Sequence, residues 1–305
     1  MIFFDLGKEE IMKKKRKKIS AFDIVLTLIM CFIIVLTLYP FLNILAVSLN
    51  DAADTVKGGI YIWPRKFTFD NYMQVFSGSS KLPLAFFNSI LRTVIGTATG
   101  VIATAMVAYT LSRRDFIFNK QVTLLFIITM YVSGGLIPEF LVIRELGLIN
   151  NFAVYILPGL ISAFNVIVMR SFMDGLPEAL YESAEIDGAS DWTKFYKIVL
   201  PLCLPVIATV ALFIAVGQWN SWFDTYLYAR GNASMTTLQY ELMKIIDNAN
   251  SSVDVNNPLL QTASKSNPQS IKMAITMVAT VPILLVYPFV QKYFVTGMTL
   301  GAVKS

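Results

Sequence analysis

Near its N-terminus the chain carries a basic cluster and then a long apolar run: KKKRKK at residues 13–18, followed by AFDIVLTLIMCFIIVLTLYPFLNILAV at residues 21–47. A cleaved signal peptide has an apolar core of roughly 7–15 residues, whereas a helix needs about 20 apolar residues to cross a bilayer. The run is long enough to cross, so the sequence predicts a retained first transmembrane span. Basic residues directly before a span are typical of its cytoplasmic side.

The composition also indicates a membrane protein. Of the 305 residues, 55% are hydrophobic and 15% are charged, and the mean hydropathy is +0.61. Soluble domains carry about 25% charged residues, so the apolar excess is too large for an ordinary soluble core. The net charge of +5 comes from basic residues that flank apolar runs. It therefore reflects membrane topology, with lipid as a partner, and does not indicate a nucleic-acid partner.

Residue types also exclude several kinds of site. The chain contains no histidine, which excludes His-based acid–base chemistry and most zinc sites. Cys31 and Cys203 lie inside apolar runs without a motif spacing. We expect both to be small buried hydrophobes, and we expect no metal site and no cofactor bound by this chain.

Five further apolar runs are predicted to span the membrane, at about Asn88–Leu111, Val122–Leu136, Phe152–Met169, Val199–Val216 and Ile271–Val290. The predicted fold class is therefore all-α: a polytopic membrane protein with about six transmembrane helices. Helix kinks are expected at the prolines in or beside these runs, which are Pro158, Pro201, Pro205, Pro282 and Pro288. The third run ends at Gly134-Gly135 and Pro138, so irregular backbone is expected at its outer end.

The basic residues between the runs predict the orientation. Arg113, Arg114 and Lys120 crowd the second connection, and Lys194 and Lys197 lie before the fifth run. Under the positive-inside rule, these segments and both termini are cytoplasmic. The predicted organisation is a basic cytoplasmic tail at residues 1–20 and one transmembrane domain at residues 21–305. Within that domain, outer loops lie at about 49–87 and 217–270, and an inner loop lies at 173–198.

A stripe of small residues recurs every four positions in the second run: Gly96, Gly100, Thr104 and Ala108. Such stripes let membrane helices approach closely. The stripe could pack against another helix of this chain, or it could contact a partner subunit. The pattern alone does not distinguish these two interpretations.

The inner loop carries the most specific pattern, LPEALYESAEIDGASDWTKFYKIVLP at residues 176–201. Pro177 suits the first position of a helix, where its missing N–H costs nothing. Gly188 permits a positive φ that ends this helix, and Ser190 or Asp191 can cap a second helix from Trp192. The next span is expected to begin at Leu200-Pro201. The predicted result is a rigid helix–turn–helix on the inner membrane face, suited to docking a cytoplasmic partner.

This segment resembles the EAA motif of the membrane subunits of bacterial binding-protein-dependent ABC importers. The matching positions, which the resemblance marks as the ATPase-coupling residues, are Glu182, Ser183, Ala184, Asp187, Gly188, Ala189, Phe195, Ile198, Leu200 and Pro201. Ser183 departs from the usual alanine but is small enough for the same packing. The resemblance implies a permease of type I architecture, coupled through residues 173–198.

The resemblance also implies partners and a location. We expect a second homologous permease, two copies of a cytoplasmic ABC ATPase, and an external solute-binding lipoprotein or periplasmic protein, in the bacterial cytoplasmic membrane. In the family the motif's glutamate faces basic residues of the ATPase, which assigns that role to Glu182. The chain has no phosphate-binding loop of the form GxxxxGK[ST]. ATP and magnesium are therefore expected on the partner ATPase, and this chain is not expected to be an enzyme.

Further markers resemble the carbohydrate branch of this family, including the maltose-permease G-type subunits and complex-oligosaccharide permeases: Asn71-Tyr72, Asn88-Ser89, Gln218-Trp219-Asn220 and the segment Gly297–Lys304. A sugar substrate, an oligosaccharide above all, is therefore expected. Amide groups and aromatic faces that could line a sugar pathway are Asn88, Tyr131, Asn165, Trp219 and Asn220. Each of these could instead be a packing or interfacial residue.

Three other functions remain as alternatives. The same architecture could import an amino acid, a peptide or an oxyanion. An intramembrane enzyme would need ionisable groups inside the spans, and the apolar cores of the six runs lack acids. A channel would need a ring of charged or carbonyl groups, which the sequence does not display.

Overall fold

The computed structural model describes residues 20–77, 81–250 and 268–302. The basic cluster at 13–18, residues 251–267 of the second predicted outer loop, and Lys304 lie outside these ranges. The helices in chain order are α1 (Ala21–Ser48), α2 (Ala52–Thr55), α3 (Asp70–Val75), α4 (Leu82–Ser112), α5 (Asn119–Tyr131), α6 (Leu136–Glu145), α7 (Ala163–Met173), α8 (Ala179–Ile186), α9 (Asp191–Leu202), α10 (Leu204–Asn220), α11 (Phe223–Tyr228), α12 (Leu238–Asn250) and α13 (Pro268–Ala302).

Short 3-10 helices at Phe152–Tyr155 and Ala233–Met235 complete the described helical segments. The described residues contain no β-sheet, and Asn50 and Phe67 form an isolated bridge. The all-α prediction is thus confirmed for the described residues.

Within the described ranges, α1, α4 and Gln269–Pro288 of α13 are each long and apolar enough to cross a membrane. The α9–α10 pair passes the same test when it is taken as one broken span. Two of the predicted runs do not form continuous spans. Their backbone is interrupted beside Gly134 and Gly135 in the third run and beside Pro158 and Gly159 in the fourth.

The third run stops as a helix at Tyr131, and residues 132–135 are not helical. Gly135 has φ 86°, a conformation that favours glycine, and α6 begins directly after it. The irregular outer end that the sequence predicts is therefore present. The fourth predicted run, at 152–169, is broken instead of kinked at Pro158: a 3-10 turn ends at Tyr155, Pro158 and Gly159 follow, and α7 begins only at Ala163.

The fifth span begins later than the sequence predicts. Leu200 and Pro201 do not open it, because α9 continues to Leu202 and the chain then bends by 82° at Cys203. Pro205 lies in the first turn of α10, where a proline requires no hydrogen-bond donor. A π-helical turn at Lys194–Val199 makes α9 irregular. The bend sets the helix–turn–helix across the end of the bundle.

The small-residue stripe packs α4 against α10 inside the chain, so the packing interpretation is confirmed. A Cβ on Gly96 would lie 2.8 Å from the Gln218 side chain, and one on Gly100 would lie 3.2 Å from Ile214. The first of these distances is too short for a Cβ atom unless the Gln218 side chain moves. The absence of a side chain at Gly96 therefore leaves room for Gln218 between the two helices.

Helix α1 stands mostly apart from the bundle. Its side chains from Ala21 to Phe41 are exposed, and burial is confined to its last turn, at Ala46–Ser48. Cys31 is exposed on this helix, which contradicts the expected burial, whereas Cys203 is buried as expected. An apolar helix with an exposed surface is the form expected of a lipid-facing span.

Candidate functional site

The predicted helix–turn–helix is formed by α8, α9 and the turn between them, here called the elbow (Ala179–Leu202). Gly188 has φ 73°, and its N–H donates to the Glu185 carbonyl at 3.0 Å. The Ser190 hydroxyl caps α9 by accepting from the Thr193 N–H at 3.4 Å. Both local features are as the sequence predicts. Only a residue tolerant of positive φ can close α8 in this way.

The side of the elbow that faces the other helices packs against α4, α7 and α10. Tyr181, Phe195 and Val199 are buried in one apolar cluster with Tyr109 of α4 and residues of α7. The Phe195 and Tyr109 rings lie 5.2 Å apart. Burial raises the pKa of Tyr181 to about 12. Because these contacts are apolar and enclosed, a displacement of the elbow would also move α4.

An ionic network braces the elbow turn. Lys194 is 5% exposed, and its Nζ lies 2.9 Å from a Glu185 oxygen and 2.8 Å from an Asp191 oxygen. Arg113, at the end of α4, reaches Glu185 at 3.2 Å and places its guanidinium 4.6 Å from the Tyr181 ring centre. Hydrogen bonds from Lys194 lower the pKa of both carboxyl groups, and these carboxylates raise the pKa of Lys194.

The side of the elbow that faces away from the other helices is a mixed acidic and aromatic surface. Ile186 is 86% exposed, Trp192 is 60% exposed and Tyr196 is 57% exposed. Trp192 and Tyr196 stack with their ring centres 6.0 Å apart. Glu182 is also exposed, and its side chain has no hydrogen bond or ion pair within the part of the chain that the structure describes. Such a surface, which the described residues leave uncovered, is suited to a protein partner.

The structure divides the motif residues between the two sides of the elbow. Exposed positions are Glu182, Ser183, Asp187, Gly188 and Pro201; partly buried positions are Ala189, Ile198 and Leu200; and buried positions are Ala184 and Phe195. The motif therefore combines an anchoring half with a surface half.

A second ionic site, which the sequence predictions did not include, lies toward the other end of α4. Arg92 is 2% exposed and binds Asp224 in a bidentate manner, with nitrogen–oxygen distances of 3.1 and 2.5 Å. Its Nε donates to Gln218 at 3.0 Å, and its guanidinium lies 4.5 Å from the Tyr155 ring centre. We call Arg92, Asp224, Gln218 and Tyr155 the outer cluster, because Gln218 and Asp224 belong to the second predicted outer loop, residues 217–270.

The outer cluster joins four segments: α4, the end of α10, α11 and the 3-10 turn at Phe152–Tyr155. Gln218 also donates to the Tyr155 carbonyl at 3.0 Å, and the Tyr155 hydroxyl donates to the Met235 carbonyl at 2.7 Å. One sequence signal could have revealed it. An arginine inside an apolar run is rare and needs a partner, and Arg92 lies in the second run.

The proposed sugar-pathway residues do not form one site. Asn88 donates to the carbonyls of Ser234 and Thr236, both at 2.8 Å, and Trp219 donates to the Ala279 carbonyl at 2.8 Å. These two side chains tie helices to the segments around them. Asn220 is exposed and accepts a hydrogen bond from Gln239 at 3.3 Å.

The other two candidates are isolated from this group. Tyr131 is 85% exposed at the end of α5, and Asn165 is 7% exposed in α7. Asn165 has no side-chain hydrogen bond within the described residues. It is therefore the pathway candidate whose amide is not already used by the fold.

Comparison with known proteins gives concordant results. The family described as binding-protein-dependent transport system inner membrane component matches residues 96–300. The polygalacturonan/rhamnogalacturonan transport system permease protein YtcP of Bacillus subtilis is 38% identical, over 93% of this chain and 98% of its own. Protein LplC of the same organism is 41% identical, over 88% of this chain and 90% of its own.

A solved structure is similar over nearly the whole chain. It is the crystal structure of a bacterial ABC transporter involved in the import of the acidic polysaccharide alginate. The similarity has a TM-score of 0.82 at 28% identity and covers 90% of this chain and 96% of the other.

Proposed function

Because this chain belongs to the family of binding-protein-dependent transport system inner membrane components, we propose that it carries oligosaccharides across the cytoplasmic membrane as one permease of an ATP-driven importer. The proposal rests on the structure of the elbow. It presents an exposed surface with an unpaired Glu182, and its other side is fixed to α4. A permease that is driven from outside itself needs such a link.

The partners we propose are a second permease, two copies of an ABC ATPase on the cytoplasmic side, and an external solute-binding protein. The ATPase pair would hold the ATP and magnesium. The elbow surface of Glu182, Ile186 and Trp192 would dock on one ATPase, where basic residues would complement Glu182. Both termini would then lie in the cytoplasm.

The packing supports a route for the coupling. Closure of the ATPase pair would move the elbow, and the contact of Phe195 with Tyr109 would pass that movement to α4. The 82° bend at Cys203 would convert it into a tilt of α10. At the other end of α4, Arg92 is fixed to Asp224 beyond α10. The two helices would therefore move together, as alternating access requires.

The names of similar proteins suggest which oligosaccharides to test first. One relative is named for polygalacturonan and rhamnogalacturonan, and the solved transporter is described as importing alginate. Both descriptions refer to polysaccharides that contain acidic sugars. We propose acidic oligosaccharides as the substrate class, ahead of neutral ones.

The test is reconstitution of the complete transporter in vesicles, with ATP hydrolysis measured after addition of the loaded binding protein. Oligogalacturonides should stimulate hydrolysis and accumulate inside the vesicles. Neutral arabino-oligosaccharides of equal length are the matched control. Stimulation by an amino acid, a peptide or an oxyanion alone would contradict the sugar assignment and leave the importer architecture intact.

Orientation has its own test. Single cysteines at Asp115 and Ser190 should react with a membrane-impermeant reagent only from the cytoplasmic side, and one at Asn250 only from outside. Labelling of position 190 from outside would contradict docking on a cytoplasmic ATPase.

A further inference from the structure

The chain after α1 turns back and lies against the side of that helix. Gly58 and Gly59 have φ values of 69° and 71°, which reverse the chain direction. The Asn43 amide then donates to the carbonyls of Ile60 and Tyr61, at 2.8 and 2.9 Å. We call residues 60–64 the knuckle. These two hydrogen bonds fix its level along α1.

The knuckle is held rigidly from both sides. Ile60 is 8% exposed and packs with Ala46 and Val47 of α1 and with Met273 of α13. On the other side, Arg65 donates to the Asp54 carboxylate at 2.9 Å and to the Gly58 carbonyl at 2.7 Å. The position of the knuckle relative to α1 is therefore determined by packing and by charge-assisted hydrogen bonds.

The knuckle presents large side chains that nothing in the described chain covers. Trp63 is 83% exposed, Tyr61 is 65% exposed and Ile62 is 49% exposed. Three neighbouring apolar or aromatic side chains held rigidly in water are unfavourable, because their exposed apolar area stays hydrated. Tyrosine and tryptophan combine an apolar ring with a polar atom, the combination enriched at membrane–water boundaries.

The position of Asn43 along α1 places the knuckle at such a boundary. Asn43 lies 22 residues after Ala21, the first residue of α1, which is about 33 Å at 1.5 Å per residue. The hydrocarbon core of a bilayer is about 30 Å thick. If Ala21 lies at one boundary of the core, Asn43 and the knuckle lie at the other. A tilt of about 20° leaves this conclusion unchanged, since the rise along the membrane normal is then about 31 Å.

We propose that Tyr61, Ile62 and Trp63 insert into the headgroup–acyl boundary of the leaflet opposite Ala21, and that they fix the height of α1 in the membrane. Nearby cations fit this occupant. Lys66 has no ion pair within the described residues, and Lys57 is 3.7 Å from Asp54, which Arg65 already binds. Interfacial tryptophan, tyrosine and lysine side chains act as anchors that set the position of a helix in the bilayer.

The test is a fluorescent probe on Ile62→Cys, in the assembled full-length transporter with Cys31→Ser to remove the other exposed thiol. The transporter is reconstituted in vesicles of phosphatidylethanolamine and phosphatidylglycerol, brominated either high on the acyl chain or near its methyl end. We expect blue-shifted emission, strong quenching by bromine placed high on the chain, weaker quenching by bromine placed low, and loss of quenching by aqueous iodide.

Phe69→Cys is the matched control. Phe69 is 57% exposed in the same loop, but the neighbouring Thr68 N–H donates to the Leu49 carbonyl at 2.9 Å. Leu49 is six residues beyond Asn43, so Phe69 lies about 9 Å further out. Its probe should remain accessible to iodide. Should Ile62→Cys fail to assemble, Trp63→Cys repeats the measurement at a more exposed position.

Three results would overturn the proposal. Iodide quenching at position 62 equal to that at position 69 would place the knuckle in water. Protection from iodide without quenching by brominated lipid would indicate a protein cover, such as the second permease. Protection that arises only on addition of loaded binding protein would assign the surface to that protein. None of these results bears on the substrate class, so they are distinct from failure of the proposed function.

Discussion

The elbow and the outer cluster both contact helix α4, and each contains one buried cation: Lys194 with two acidic partners at the elbow, and Arg92 with one at the outer cluster. They differ in where the acids lie. At the outer cluster, the Asp224 side chain is 21% exposed and Arg92 is 2% exposed. At the elbow, the side chains of Glu185 and Asp191 are 51% and 77% exposed, and that of Lys194 is 6% exposed. The outer pair is therefore internal, whereas the elbow acids can also meet a partner.

This difference indicates two mechanical roles for similar chemistry. A buried, bidentate pair is costly to separate, so we expect the outer cluster to hold its four segments together during the proposed transport cycle. Exposed carboxylates are hydrated and exchange partners at little cost. The elbow can therefore contact an ATPase without first losing an internal interaction of large free energy.

The largest effect is expected from Arg92→Met. It leaves the Asp224 carboxylate without its partner, and breaking a buried pair costs about 3–5 kcal/mol. The unfolding temperature of the purified transporter should fall sharply. Arg114→Met is the control, because Arg114 forms an ion pair with Glu178 at 2.8 Å with both side chains exposed, and such pairs contribute about 0–1 kcal/mol.

A double variant tests whether the pair or the charge matters. Arg92→Met combined with Asp224→Leu removes both charges and should be more stable than Arg92→Met alone. If the single variant is as stable as the parent protein, the outer cluster is not the fixed end of α4.

The next effect concerns Gly188→Val. No atom lies within 4 Å of a Cβ built at this position, so the variant tests backbone conformation without a steric clash. A β-branched residue at positive φ is strained by about 1–2 kcal/mol. We expect α9 to be misdirected, sugar uptake to fall and the ATPase to be lost on purification, while membrane insertion is retained.

Gly188→Asn is the matched variant, because asparagine tolerates the left-handed conformation. It should retain the ATPase and uptake. Normal coupling in Gly188→Val would mean that the elbow turn does not transmit the ATPase motion.

A smaller effect is expected from Glu182→Ala. Because Glu182 has no internal partner in the described residues, its loss should leave the unfolding temperature unchanged and moderately weaken ATPase retention, by about 0–1 kcal/mol for an exposed charge. Glu178→Ala, which removes an exposed internal pair, should not affect retention. A lowered unfolding temperature in Glu182→Ala would instead assign this side chain a structural role.

The smallest effect is a predicted independence of pH. Glu185 has its pKa lowered below 4.5 by Lys194, so its contribution is present above that value and is lost as the pH falls through the lowered pKa. The pKa of Lys194 is raised above 10.5, so its contribution is present below that value and is lost as the pH rises through the raised pKa. Hydrogen-exchange protection of residues 179–193, corrected for intrinsic rates, should therefore not change between about pH 5.5 and about pH 9. A transition within this window would show that the network is not formed in solution.

Sequence reasoning succeeded where the information is local. The positive φ of Gly188, the Ser190 cap and the apolar length of α1 and α4 each depend on a few neighbouring residues. The same reasoning failed at residues 152–169. The sequence predicts a kink at Pro158, but the structure has no helix between Tyr155 and Ala163. A hydropathy pattern sums over a window and does not show whether a proline bends a helix or ends it.

The candidate site divides in the same way. The residue types at the elbow can be read from residues 176–201, because the motif is contiguous. Which of them face the bundle depends on the 82° bend at Cys203 and on the contact of Phe195 with Tyr109, which joins residues distant in sequence. The pairing of Arg92 with Asp224 spans 132 positions. Local propensities determine helices, turns and membrane spans because they act over a few residues, whereas the partner of a buried charge is determined by which segments the folded chain packs together.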